Sequence, residues 1–169
     1  MLSFPALISW LKGYSVECLP YQVWAENKDV SDPKTFVWND QRKNIANEIR
    51  EALRNIDTKS RVFRIAGLSG LGKTRLCFET LSLDDLKSVV LYVTARGLKN
   101  SSFQNTLLID KGMHVIIVVD ECSLEDHEYF ANLFSNRGMR LAMITLANEE
   151  DPVPLPTIYY QLEPFQNRY

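Results

Sequence analysis

The chain has 169 residues, 46% of them hydrophobic and 24% charged, the size and make-up of one globular domain with a sizeable core. Its net charge of -2 supplies no global positive field for holding DNA or RNA, so direct nucleic-acid binding is not expected. Cys18, Cys77 and Cys122 are too dispersed for a CxxC metal or redox pair, and an odd count without a framework fits reduced, buried thiols in a cytoplasmic setting.

The opening "MLSFPALISWLKG" is apolar, but it lacks a basic leader, contains Pro5 and falls short of the ~20 residues that a membrane span needs. It reads as a docking or core segment, and no other stretch could span a bilayer. It belongs to an N-terminal arm, residues 1–37, in which "YQVWAENKDVSDPKTFVW" mixes aromatic and β-branched residues with an Asp-Pro turn signal. One or two short strands, or an extended arm, are expected there.

The pattern turns helical from Asn39, which with Asp40 can cap a helix carrying Ile45, Ile49, Leu53 and Ile56 on one face. "RVFRIA" (61–66) then reads as a strand, followed by a glycine turn and a helix from Lys73 to about Leu81. "SVVLYVTA" (88–95) is a second strand, and a short helix or irregular piece follows near 101–110. "MHVIIVVD" (113–120) is an almost unbroken β-branched run, the mark of a strand buried on both faces of a parallel sheet. "SLEDHEYFANLFSN" predicts a helix with Ser123 as N-cap and Asp126 as its capping-box partner. "RLAMITLA" (140–147) and "TIYYQLEP" (157–164) complete the strands. Alternating strands and helices imply βαβ crossovers, hence an α/β three-layer sandwich over residues 38–169.

Within this frame "RIAGLSGLGKTRL" satisfies G-x-x-x-x-G-K-[ST] through Gly67, Gly70, Gly72, Lys73 and Thr74. Random sequence of this length meets that pattern in roughly one case in a hundred or fewer, and here it lies where a strand hands over to a helix. Glycines let the backbone close around phosphates, the following helix offers its positive end, Lys73 can reach the β- and γ-phosphates, and the Thr74 hydroxyl can ligate Mg2+. The whole loop, Gly67, Leu68, Ser69, Gly70, Leu71, Gly72, Lys73, Thr74 and Arg75, is assigned to the nucleotide.

A second element sets the class. "VIIVVDEC" puts Asp120 and Glu121 at the carboxyl end of a buried strand, the edge at which open parallel sheets bind ligands. Asp120 can hold the metal with Thr74, and Glu121 can polarise the water attacking the γ-phosphate. Ser123 already caps the next helix, so the acids are not needed for that purpose. In "LAMITLANEE", Thr145 and Asn148 are both candidates for a polar group that senses the γ-phosphate or orients the water, and the sequence does not choose between them.

These stretches, with the closing "YYQLEPF", resemble the STAND NTPases, signal-transducing P-loop ATPases related to the AAA+ and NB-ARC domains, many of whose bacterial members act in antiphage defence. The resemblance covers about residues 38–166. It implies strand order 5-1-4-3-2 and slow ATP turnover used as a conformational timer, with ATP favouring assembly and ADP an inactive monomer. It also implies a helical lid, a winged-helix module and a sensor array beyond the core, so residues 38–169 read as a core that needs a partner, either a second copy or further domains. Arg137 and Arg140 are the leftover arginines near the sheet, and solvated helix ends suit them better than an arginine finger. In such proteins the segment before the cradle touches the base, a role that Tyr21, Val23 and Trp24 could fill by stacking, as they could equally be core residues.

The leading expectation is therefore an Mg2+-dependent ATPase switch. A nucleotide-gated binding module without significant turnover is the alternative. A small-molecule kinase is a third reading, weakened because the interval 75–120 offers only Arg75 and Arg96 for a phosphate lid. No NKxD guanine-reading motif is present, which leans towards adenine.

Overall fold

The computed structural model describes residues 18–32, 36–55, 61–109, 112–135, 140–148, 153 and 156–164. The apolar opening segment, Ile56, Arg137 and Phe165 of the closing stretch lie outside these residues.

Five parallel strands form the body of the sheet: β2 (Val62–Ala66), β3 (Val90–Thr94), β4 (Val115–Asp120), β5 (Leu141–Ala147) and β6 (Ile158–Gln161). Their order is β6-β2-β5-β4-β3, the expected 5-1-4-3-2 when these five alone are counted. The sheet differs from that expectation by a sixth strand, β1 (Cys18–Pro20), which runs antiparallel along the free edge of β3 with Leu19 opposite Tyr92. β4 and β5 lie inside the sheet and are buried along almost their whole lengths, as their continuous β-branched and apolar sequences require.

Alternation along the strands sends side chains to two faces. One face carries Phe63, Ile65, Ile116, Val118, Ile144 and Leu146, and is covered by α3 (Asp40–Arg54) and α4 (Lys73–Thr80). Asn39 caps α3 by accepting the Arg42 amide at 2.8 Å, and Ile45, Ala46, Ile49 and Leu53 make its buried stripe. The other face, with Val93, Ile117, Val119 and Met143, is covered by α6 (Ala95–Lys99), α7 (Phe103–Ile109) and α8 (Leu124–Phe134). Each large apolar side chain fully buried this way, such as Ile49, Leu76 or Phe130, contributes about 1.5–3 kcal/mol. Ser123 caps α8 as expected, accepting the Asp126 amide at 3.1 Å.

The arm departs from its expected form. After β1 come two single-turn helices, α1 (Tyr21–Trp24) and α2 (Lys28–Ser31). Four residues are too few to show a 3.6-residue period in sequence. Tertiary packing holds α1 in place: Tyr21 stacks on Phe78 with ring centroids 4.7 Å apart, and Trp24 stacks on Tyr92 at 4.6 Å. A further single turn, α5 (Asp84–Lys87), precedes β3, and α6 starts directly where β3 ends, its first turn capped by Thr94 accepting the Gly97 amide at 3.1 Å.

A polar network interrupts the core beneath α8. Arg64, wholly buried in β2, donates to the Cys122 carbonyl at 3.1 Å and to Thr145 Oγ1 at 3.4 Å. Thr145 Oγ1 is 2.8 Å from His127 Nδ1, and Thr157 Oγ1 is 2.9 Å from His127 Nε2. Burial, with the Arg64 guanidinium nearby, lowers the His127 imidazole from its ordinary 6.5 to about 4. The unfolded chain therefore takes up this proton first. The stability contributed by neutral His127 is complete above pH 6.5 and falls as the pH drops towards 4. Between about pH 7.5 and about pH 5 the loss should reach roughly 2 kcal/mol, seen as a fall in Tm that a His127→Gln chain shows to a smaller extent.

Candidate nucleotide-binding site

β2 ends at Ala66 and the chain enters the glycine loop at the carboxyl edge of the sheet. The loop base is wedged between neighbouring strands: the Gly67 amide donates to the Ala147 carbonyl at 3.2 Å, and the Leu162 amide donates to the Ala66 carbonyl at 2.8 Å. Gly67 has φ +149°, and a Cβ there would lie 2.7 Å from the Leu162 carbonyl oxygen, so no other residue fits without moving backbone. The loop closes through Gly72, which precedes α4 without any side-chain cap, leaving the first amides of that helix to an outside acceptor. Lys73 is folded into the loop, its ammonium 2.7 Å from the Gly67 carbonyl and 2.8 Å from that of Leu68. Burial lowers its pKa while Asp120 opposes the shift.

The first turn of α4 meets the end of β4. Thr74 Oγ1 donates to Asp120 Oδ2 at 2.9 Å, and the Tyr92 hydroxyl donates to the same oxygen at 2.8 Å. Burial, with the Asp120 charge beside it, pushes the Tyr92 phenol well above its ordinary range, so it stays a donor. Asp120 Oδ1 takes the Glu121 amide at 2.8 Å. Glu121 itself is exposed and sits at φ +51°, the one non-glycine residue with positive φ among the described residues. The turn is pinned one residue on, where the Cys122 amide donates to the Leu146 carbonyl at 3.0 Å and its carbonyl accepts from Arg64.

The other candidates are spread more widely. Leu68, Ser69 and Gly70 are exposed along the loop, and the Leu71 carbonyl accepts from Arg42 Nη2 at 2.7 Å. Arg75 follows Thr74 in sequence, but its guanidinium turns away to Glu79 and, at 2.8 Å, to the Asp32 carbonyl. Thr145 lies inside β5 in the His127 network, on the face opposite the loop helix, whereas Asn148 is exposed directly after Ala147, the strand end that receives the Gly67 amide. Tyr21 and Trp24 are core residues and only Val23 of that trio is exposed. Arg140 precedes β5 and donates to the Gly112 carbonyl at 2.8 Å. With Arg54, Arg61 and His114 it lines a cavity of about 370 Å³ at the amino edge of the sheet, away from the cradle. All three cysteines are buried and unpaired, and burial pushes the Cys18 and Cys122 thiols up to about 12.

Sequence reasoning missed Tyr92, Arg42 and Gln41. Gln41 clamps the start of α3 to the end of β6, donating to the Gln161 carbonyl at 3.0 Å and accepting the Glu163 amide at 3.2 Å. For Tyr92 the signal was there: alternation in "VLYVT" and "VIIVVD" puts Tyr92 and Asp120 on one face once β3 and β4 pair with Thr94 opposite Asp120.

A hydroxyl and a carboxylate 2.9 Å apart are hard oxygen donors of the kind Mg2+ takes when phosphate oxygens and water complete its shell. No group of three or more His, Cys, Asp or Glu able to hold a metal occurs among the described residues, so a metal here would lean on the substrate for its remaining ligands. The donor set and the uncapped helix start fit that group.

No protein-family model matches the chain, and no curated protein matches it. Solved structures do. PCH-2 from C. elegans aligns with TM-score 0.57 at 13% identity, over 80% of this chain and 45% of that one. AMPPCP-bound DnaA from Aquifex aeolicus aligns with TM-score 0.53 at 17% identity, over 77% and 49%. Cdc6p from Pyrobaculum aerophilum aligns with TM-score 0.50 at 14% identity, over 79% and 48%. The chain thus spans less than half the length of each, and what it shares with them is the fold alone, a P-loop NTPase α/β sandwich around a mostly parallel sheet. No helix among the described residues is long and apolar enough to cross a membrane.

Gly67 and Gly70 separate two reasons for glycine. Both have positive φ, but a Cβ on Gly70 meets nothing within 4 Å. Gly67→Ala should cost about 2 kcal/mol or more and Gly70→Ala about 1 kcal/mol, an ordering that chemical denaturation of the two variants checks.

Proposed function

We propose that the chain binds ATP with Mg2+ and hydrolyses it slowly, the nucleotide state serving as a conformational or assembly switch in signalling or defence. The observation that carries this reading is the 2.9 Å contact between Thr74 on the loop helix and Asp120 at the end of β4, with Glu121 next in the chain. Mg2+, when bound, would neutralise phosphate charge and be held by Thr74 and Asp120. The chain's own residues do the rest. The glycine loop and the start of α4 cradle the phosphates, and Lys73 exchanges carbonyl partners for phosphate oxygens. Glu121 accepts a proton from the attacking water.

Of the two polar candidates near the γ-phosphate, Asn148 is the better supported, because Thr145 is buried and already bonded to Arg64 and His127. The AMPPCP on the structurally similar DnaA supports an adenine nucleotide as ligand. Buried, unpaired cysteines support a cytoplasmic location. Groups that complete the site would come from a second copy or from further domains.

Binding without significant turnover is the second reading. It is favoured by the Glu121 side chain, which is exposed and has no bonded partner among the described residues to aim it. Phosphate release decides between the two. Lys73→Ala should weaken ATP binding about 10- to 100-fold by calorimetry. Glu121→Gln should keep binding and lower phosphate release at least about 100-fold. Unchanged release from Glu121→Gln would remove Glu121 as the base. Transfer of the γ-phosphate to a metabolite, with no free phosphate formed, would favour a kinase instead.

A further inference from the structure

We propose that Tyr92 is a positioning residue for Asp120, and that it ties the metal side of the site to the arm segment Cys18–Trp24. The inference rests on the reading of Asp120 as a magnesium ligand.

Asp120 Oδ2 receives two hydroxyls, Thr74 Oγ1 at 2.9 Å and the Tyr92 hydroxyl at 2.8 Å. Their fates differ when a cation arrives. The Thr74 oxygen would turn a lone pair to the metal, whereas Tyr92 projects from the neighbouring strand and remains as the anchor that holds the carboxylate in place. A carboxylate fixed before the metal arrives needs no reordering when it binds, which is where such an anchor acts.

Tyr92 is itself held from two sides by the arm. Leu19 pairs opposite it across the antiparallel β1–β3 ladder. The indole of Trp24, 1% exposed, stacks on its ring with an interplanar angle of 18°. Trp24 also meets Phe78 of α4 edge-on at 5.1 Å, and the Tyr21 hydroxyl donates to the Phe78 carbonyl at 3.1 Å. The same arm residues therefore brace the strand that carries Tyr92 and the helix that carries Thr74. A ring packed this tightly cannot swing its hydroxyl off Asp120 without disturbing Trp24. Conversely, loss of the arm frees that hydroxyl.

A purely structural role for the Tyr92 hydroxyl, satisfying a half-buried donor, makes a different forecast, and equilibrium binding of AMPPCP to the full chain separates them. The quantity read is the ratio of affinities in excess MgCl2 and in EDTA. Tyr92→Phe keeps the stack, so affinity in EDTA should stay at the wild-type value while the magnesium-dependent gain falls roughly five- to tenfold. Trp24→Leu keeps the hydroxyl and removes its brace, and should lower the same gain roughly two- to threefold. An undiminished gain in Tyr92→Phe, or an equal loss in EDTA and in MgCl2, overturns the positioning role. A wild-type gain in Trp24→Leu overturns the link to the arm. Should Tyr92→Phe lack a cooperative melting transition, Trp24→Leu alone decides on the same ratio. Absence of any magnesium-dependent gain in the wild-type chain would overturn the functional reading and this inference with it, whereas a wild-type gain left intact by Tyr92→Phe overturns the inference alone.

Discussion

The Asp120 carboxylate is the point at which the elements of this fold meet. It closes β4, and its two oxygens collect a hydroxyl from the loop helix, a phenol from β3 and the amide of the next residue. A partly buried charge survives only with such donors around it, since desolvation without them costs several kcal/mol. Each donor depends on another layer of the structure. Thr74 is placed by the glycine loop and the packing of α4, Tyr92 by the pairing of β3 with β4, and the Glu121 amide by a turn that takes a non-glycine residue to φ +51°.

That turn is held from beneath by a costly device. Arg64 is wholly buried in a central strand, and its Nε and Nη2 groups have no hydrogen-bond partner among the described residues. The bonds it does make run to the Cys122 carbonyl and to Thr145. Burying a guanidinium without a carboxylate is unfavourable, so its position is explained by what it fixes. Cys122 follows Glu121 directly, and the guanidinium grips its carbonyl while Leu146 takes its amide. The Asp120 carboxylate and the backbone turn after it are therefore held from both faces of the sheet, from the loop side through Thr74 and Tyr92 and from the α8 side through Arg64, while the Glu121 side chain stays exposed.

Much of this was legible in the sequence wherever the physics is local. The run "MHVIIVVD" announces a doubly buried strand because polar side chains cannot face two apolar layers. "GLSGLGKT" announces a tight loop because positive φ and the close approach to Leu162 exclude side chains. Ser123 and Asn39 announce helix starts because a short acceptor in that position satisfies an amide. What escaped is of another kind. Single-turn helices such as Tyr21–Trp24 carry no period and exist only because Phe78 and Tyr92 are there to be stacked upon. Thr145 and Asn148 looked equivalent at a strand end, and burial against His127 separates them.

The alternation of strand and helix, the glycine loop and the presence of an acid pair follow from the residue order alone, since each rests on periodicity, backbone sterics or motif spacing within a few residues. That Tyr92 shares an oxygen with Thr74, that Arg75 turns away to Glu79 and Asp32, and that the arm adds a strand beside β3 follow from the folded packing instead. These are meetings between residues far apart in the chain. Their energies come from burial and hydrogen bonding that arise once the sheet has brought the partners together.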